Sequence, residues 1–144
     1  MNTITPYLCC RDAAQAVDFY QRAFGAVELY RLSEPGGRIG HAEISFGGAV
    51  VYLSDEYPGF GCAAPSGETN SVTLHLTVPD VDALVRQAAA AGATAVREPK
   101  DEFYGHRSAT LKDPFGHRWM VSTVIEDLSA EEIQSRYKAL ASGS

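Results

Sequence analysis

Four histidines and three cysteines are the side chains best able to ligate a metal or attack a substrate in this 144-residue chain. His41 lies two residues before Glu43 in GRIGHAEISF. On an extended strand that spacing puts both on one face, where a carboxylate beside an imidazole can move a proton. His75 in SVTLHLTV and His106 in YGHRSATL each alternate with hydroxyl residues. Glu43, His41 and His75 are therefore the candidate catalytic residues, for a lyase or isomerase proton transfer. Two histidines and a carboxylate can also hold Fe(II) or Zn(II), so a displaced divalent ion is the alternative. His117 follows the turn Asp113-Pro114-Phe115-Gly116 and shares the parity of Trp119, which points it away from the candidate face. Cys9 and Cys10 are adjacent, and Cys62 makes the count odd. That fits neither a disulfide framework nor a zinc knuckle, and the cysteines are expected to be small buried side chains in a reducing cytoplasm.

The elements that must position these residues follow from periodicity. Residues 4–10 read as a strand. Asp12 with Gln15 reads as a capping box, and Ala13, Val17, Tyr20 and Phe24 form one apolar helical face that ends at Gly25. Strands are expected at Val27–Leu32, Ile39–Phe46 and Ala49–Ser54, separated by glycine-rich turns. The order then begins again: a strand at Val72–Val78, a helix capped by Asp80 or Asp82, and strands at Thr94–Arg97, His106–Leu111 and Arg118–Val124. Ser129 with Glu132 opens a last helix with Ile133, Tyr137 and Leu140 on one side, a stripe expected to be buried on its own domain or across a homodimer.

The chain is thus an α+β fold: two tandem βαβββ modules forming a cup-shaped mixed sheet, plus a C-terminal helix. Residues 1–56 form the first module, 57–71 a connector, 72–125 the second module and 126–144 the C-terminal helix and tail. Cys10-Arg11-Asp12 aligns with Val78-Pro79-Asp80, Gly25-Ala26 with Gly92-Ala93, Gly40-His41 with Gly105-His106, and Gly48 with Gly116. Ordered landmarks of this kind mark a duplicated unit. One face of each sheet buries on its helix. The other carries Tyr7, His41, Glu43, Tyr52, Thr73, His75, His106, Arg118 and Met120, a polar and aromatic set with few charges, which predicts a concave ligand site. Tyr7, Tyr52, Thr73, His75, His106, Arg118 and Met120 are the candidate ligand-binding residues, with Tyr57, Phe60, Phe103 and Tyr104 in connectors at the rim.

Hydrophobic residues make up 45% of the chain, charged residues 21%, and the net charge is −6. The acidic balance and the absence of a basic run argue against nucleic-acid and anionic-membrane partners. MNTITPYLCC lacks the basic and long apolar segments of a signal peptide, no stretch approaches a membrane span, and a cytoplasmic protein is expected.

RDAAQAVDFYQRAFGA, GRIGHAEISFGG, VPDVDALVRQAAAAGA and DPFGHRWMVSTVIEDLSAEE resemble the vicinal oxygen chelate superfamily, which includes glyoxalase I, the bleomycin-resistance proteins and the extradiol dioxygenases. The likeness spans residues 4–135, nearest the glyoxalase-like branch often labelled 3-demethylubiquinone-methyltransferase-like. It implies a homodimer and, in metal-dependent members, four ligands on the cup. Those positions fall here at Thr5, Tyr52, Thr73 and Met120. Hard or borderline divalent ions want imidazole or carboxylate donors, so the expectation is no cofactor. The chain then reads as a metal-free protein binding an aromatic or planar organic ligand, as in drug sequestration. The alternative is a glyoxalase-like lyase, isomerase or dioxygenase using Glu43 and the cup histidines. No glycine-rich nucleotide turn follows a strand.

Overall fold

A computed structural model describes residues 1–143. The first module runs β1 (Tyr7–Cys10), α1 (Ala13–Phe24), β2 (Val27–Ser33), β3 (Ile39–Phe46) and β4 (Ala49–Asp55). The second runs β5 (Thr73–Thr77), α2 (Val81–Ala91), β6 (Thr94–Asp101), β7 (His106–Lys112) and β8 (Arg118–Val124), and α3 (Ala130–Ser142) follows. The fold is α+β with two tandem modules. Its strands form two four-stranded mixed sheets, ordered β1-β4-β3-β2 and β5-β8-β7-β6, each with one parallel pair at its inner edge. β1 begins at Tyr7 rather than at residue 4, immediately after Pro6, whose ring nitrogen has no hydrogen to donate to a ladder.

The helices are fixed by paired caps. Asp12 accepts from the Gln15 amide and Asp80 from the Ala83 amide. Asp82, the other candidate cap, instead receives Arg107 at 2.8 Å. Each helix start is also held from the sheet: Asp55 accepts the Ala13 amide (2.9 Å) and Thr123 accepts the Val81 amide (2.8 Å). These are equivalent positions in the two modules. The ladders set that equivalence. Tyr7 faces Tyr52 as His75 faces Met120, and Ala42 faces Leu53 as Ala109 faces Val121. His41 therefore corresponds to Ser108, not to His106 as the Gly-His dipeptides imply. The modules differ by one residue in the hairpin, Gly47-Gly48 against Pro114-Phe115-Gly116.

The core is continuous across both modules. Trp119 of β8 packs on Phe24, Phe46 and Tyr20 of the first module, with ring centroids 4.8, 5.4 and 5.5 Å apart. The two helices lie together, with Gln87 donating to the Arg22 carbonyl at 2.9 Å. At the centre is Asp113, only 4% exposed. One of its oxygens accepts the Tyr20 hydroxyl (2.5 Å) and the Trp119 indole (2.9 Å). The other accepts the amides of Phe115 (2.9 Å) and His117 (3.0 Å). Burial, reinforced by the neighbouring carboxylate, pushes the Tyr20 phenol well above its ordinary range, so it remains a donor.

The C-terminal helix does not bury its stripe on its own domain, the first of the two placements expected for it. Its capping box forms between Ser129 and Glu132, because that bond is local. Its apolar stripe is not buried: Tyr137 is 57% and Leu140 58% exposed. The helix is held instead by Arg136, which donates to both Glu126 oxygens at 2.9 Å, and by the Tyr137 ring against Phe103. Among the described residues no helix is long and apolar enough to cross a membrane.

Removing one side of the buried Asp113 cluster leaves a desolvated polar group without its partner. Asp113→Ala is expected to cost about 3–5 kcal/mol and Tyr20→Phe about 1–3 kcal/mol. The double variant should cost clearly less than the sum. Urea unfolding of the four proteins measures this, and strict additivity would show that the two side chains do not act together.

Candidate functional site

Alternation along β3 carries His41 and Glu43 to the face opposite α1, while Ala42 and Ile44 are buried. The His41 Nε2 lies 2.9 Å from Glu43 Oε2 and its Nδ1 lies 2.7 Å from the Tyr7 hydroxyl. An ionised carboxylate only accepts, so Nε2 donates to it, and on a neutral ring Nδ1 then accepts from Tyr7. Tyr30 reaches in from β2 and donates to the same Glu43 oxygen at 2.8 Å. The Tyr52 ring packs against His41 (4.9 Å) and Tyr7 (5.6 Å). The hydrogen bond from His41, then that from Tyr30, hold the Glu43 carboxyl below its ordinary range. Desolvation, chiefly, raises the Tyr7 phenol. The result is a Tyr7–His41–Glu43 chain ending in a protonated phenol that is 53% exposed.

His75 is not part of this chain. Its Nε2 lies 2.9 Å from Ser122 Oγ on the second sheet. Ser122 bonds Ser108 at 2.7 Å, and Tyr104 donates to Ser108 at 3.0 Å. The His106 ring meets Tyr104 edge-on and lies tilted beside His75, with its Nδ1 buried and unpartnered. The bond between Glu43 and a cup histidine therefore belongs to His41 alone, and each sheet carries its own polar network.

A cavity of about 1130 Å³ lies between the modules, walled by β1, the start of β5, the start of β8 and the connector. That is at or above the roughly 300–1,000 Å³ of typical small-molecule sites. Of the residues read from sequence as ligand-binding, Tyr7 and Arg118 line it. Tyr52 stands against Tyr7. Thr73, His75, His106 and Met120 lie along the second sheet outside its lining, with Thr73 opposite Arg118 on the ladder. Tyr57 and Phe60 of the connector also line it. The Tyr57 hydroxyl is fixed on Glu34, and its ring lies under the Arg38 guanidinium at 3.8 Å. Phe103 and Tyr104 are elsewhere, beside α3 and the second network. His117, whose parity points it away from the candidate face, spans the seam: its Nε2 lies 2.9 Å from the Cys9 carbonyl, while Arg11 donates to the Pro114 carbonyl at 3.2 Å.

Sequence reasoning did not find Tyr30, Asn70, Ser71 or the cavity role of Leu8 and Leu74. Only Tyr30 left a signal, as an aromatic on the strand paired with Glu43. The cysteines are free. Cys10 is buried, while Cys9 and Cys62 line the cavity against the Asp55 carbonyl at 3.9 and 3.7 Å. Burial pushes the Cys9 thiol up to about 12, so it is not a thiolate nucleophile at neutral pH.

The family model for the Glyoxalase/Bleomycin resistance protein/Dioxygenase superfamily matches residues 1–121. The chain belongs to this superfamily. An uncharacterized Mycobacterium tuberculosis protein, Rv0887c, is 39% identical over 145 residues, covering 97% of this chain and 85% of the relative. Among solved structures, TioX from Micromonospora sp. ML1 has a TM-score of 0.69 at 28% identity, over 86% of this chain and 99% of that one. The fosfomycin resistance protein FosX of Listeria monocytogenes, solved with Mn(II) and sulfate, has the same fold with a TM-score of 0.69 at 17% identity, over 94% and 97% of the two chains.

The ligand positions implied for metal-dependent superfamily members do not suit a divalent ion here. Thr5, Tyr52, Thr73 and Met120 offer hydroxyl, phenol and thioether. Among the described residues no group of three or more His, Cys, Asp or Glu side chains could hold a metal.

Glu43 gives a pH signature. A carboxyl lowered from 4.5 in the folded state contributes stability that is present above its unfolded pKa and is lost as pH falls through the lowered value. The stability difference between the native chain and Glu43→Gln should be level from neutrality to about pH 5 and shrink below it. Urea midpoints across that range measure it, and a difference that grows on acidification would refute the arrangement.

Proposed function

We propose that this chain is a small-molecule binding protein that holds a flat, mainly apolar organic ligand in the seam cavity without a metal ion. The observation that carries this reading is the cavity itself. Leu8, Leu74, Tyr57 and Phe60 offer broad apolar and aromatic surface, interrupted by a few polar groups from Tyr7, Asn70 and Arg118. Aromatic walls grip flat ligands through contact area and ring geometry, and a few placed polar groups set orientation. Sequestration of an aromatic compound needs no more than this. The Tyr7 oxygen, with its proton committed to His41, presents an acceptor to the cavity.

A thermal-shift screen with flat aromatic compounds tests the reading. A ligand at 100 times its Kd should stabilise the fold by about 2.7 kcal/mol. Phe60→Ala and Tyr57→Ala should each weaken binding about three- to tenfold, and dialysis against a chelator should leave affinity unchanged. Affinity lost with the chelator, together with near-stoichiometric zinc, iron, nickel or manganese in the untreated protein, would overturn it.

The Tyr7–His41–Glu43 chain supports a second reading, proton transfer on the bound molecule as in a lyase or isomerase. On this reading Glu43, held in place by His41 and Tyr30, is the group that accepts the proton. A bound carbon acid should exchange its acidic hydrogen with D2O, and Glu43→Gln should slow that exchange by about 10²-fold or more while binding persists. An unchanged exchange rate, followed by NMR, would remove this reading.

A further inference from the structure

The seam cavity holds a cation that no carboxylate among the described residues pairs with. Arg118 opens β8 and lines the cavity, and its Nε is buried with no hydrogen-bond partner. Arg11 and Arg38 donate to backbone carbonyls, Arg22, Arg31, Arg97, Arg107 and Arg136 pair with carboxylates, and Arg86 is exposed on α2. Directly across the ladder from Arg118 is Lys112, on the same face. Like charges opposite one another destabilise a sheet. Among the described residues neither side chain meets a carboxylate: Lys112 donates to the Glu68 carbonyl (3.0 Å) and to Asn70 Oδ1 (2.6 Å). Asp113, adjacent in sequence, spends both oxygens on the core. Glu34, the cavity's own acid, is engaged by Tyr57. In a chain of net charge −6, two adjacent cations without an acidic partner define a local positive field at the cavity wall.

We propose that the cavity is selective for organic carboxylates, with the aromatic or apolar body between Leu8, Leu74 and Phe60 and the carboxylate on the Arg118 guanidinium. The planar fork of arginine suits a carboxylate through paired hydrogen bonds, and Lys112 adds its charge through position. This inference rests on the reading of the cavity as a ligand site.

Calorimetry with 2-naphthoate and its neutral counterpart 2-naphthamide separates the two ideas. The native chain should bind 2-naphthoate about ten- to a hundredfold more tightly than the amide, and Arg118→Met should bring 2-naphthoate down to the level of the amide. Arg118→Lys, which keeps the charge but not the fork, should retain part of the preference, and it serves where the Met variant has a collapsed melting transition. Equal affinity of the native chain for both probes overturns the carboxylate assignment and leaves the cavity reading standing. A preference that survives Arg118→Met overturns the role of Arg118. Binding of neither probe overturns this inference and counts against the reading beneath it.

Discussion

A buried carboxylate must find donors or remain protonated, because taking an unpaired charge out of water costs several kcal/mol. Asp113 meets that demand with four donors, two from its own turn and two from aromatic side chains. One of the aromatics, Tyr20, lies on α1 of the other module. The bond therefore does more than satisfy Asp113. It sets where the β7–β8 hairpin stands against the first module, and with it the start of β8. His117 reaches the Cys9 carbonyl from that position, and Arg118 enters the cavity wall.

The two sheets take different roles around that seam. The first presents a charged chain from Glu43 through His41 to Tyr7, ending at the cavity. The second presents a network of His75, Ser122, Ser108 and Tyr104 without a carboxylate, outside the lining. Duplication has supplied the scaffold twice and the chemistry once. Where the first module has Glu43 opposite Tyr52, the second has Thr110 opposite Met120. The connector completes the site from sequence with little pattern of its own, contributing Tyr57, Phe60 and Asn70.

Much of the fold was legible because it rests on short-range chemistry. The caps at Asp12, Asp80 and Ser129 need only residues three positions away, and alternation in β3 placed His41 beside Glu43. The rest depends on pairs far apart in the chain. Nothing local marks Asp113 as the partner of Tyr20, 93 residues away. Tyr30 joins Glu43 only because a bulge in the β2–β3 ladder shifts the register between Glu28 and Tyr30. The resemblance of Gly40-His41 to Gly105-His106 misled for the same reason, since ladder register and not the dipeptide fixes equivalence. The sequence pointed to a cup enclosed by the two half-sheets, and the cavity lies at their junction, whose walls depend on the packing of Gln87 of α2 on the end of α1 and of Trp119 on the first module.

The one-residue difference between the two hairpins makes the modules unequal partners. At the ladder positions flanking each turn, the first module carries Phe46 and Ala49 where the second carries Asp113 and His117. A tandem fusion of two first halves would keep every cap and strand yet bring apolar groups to a junction that needs an acid and an imidazole. The two halves are therefore not interchangeable, and order along the chain matters to how the junction closes.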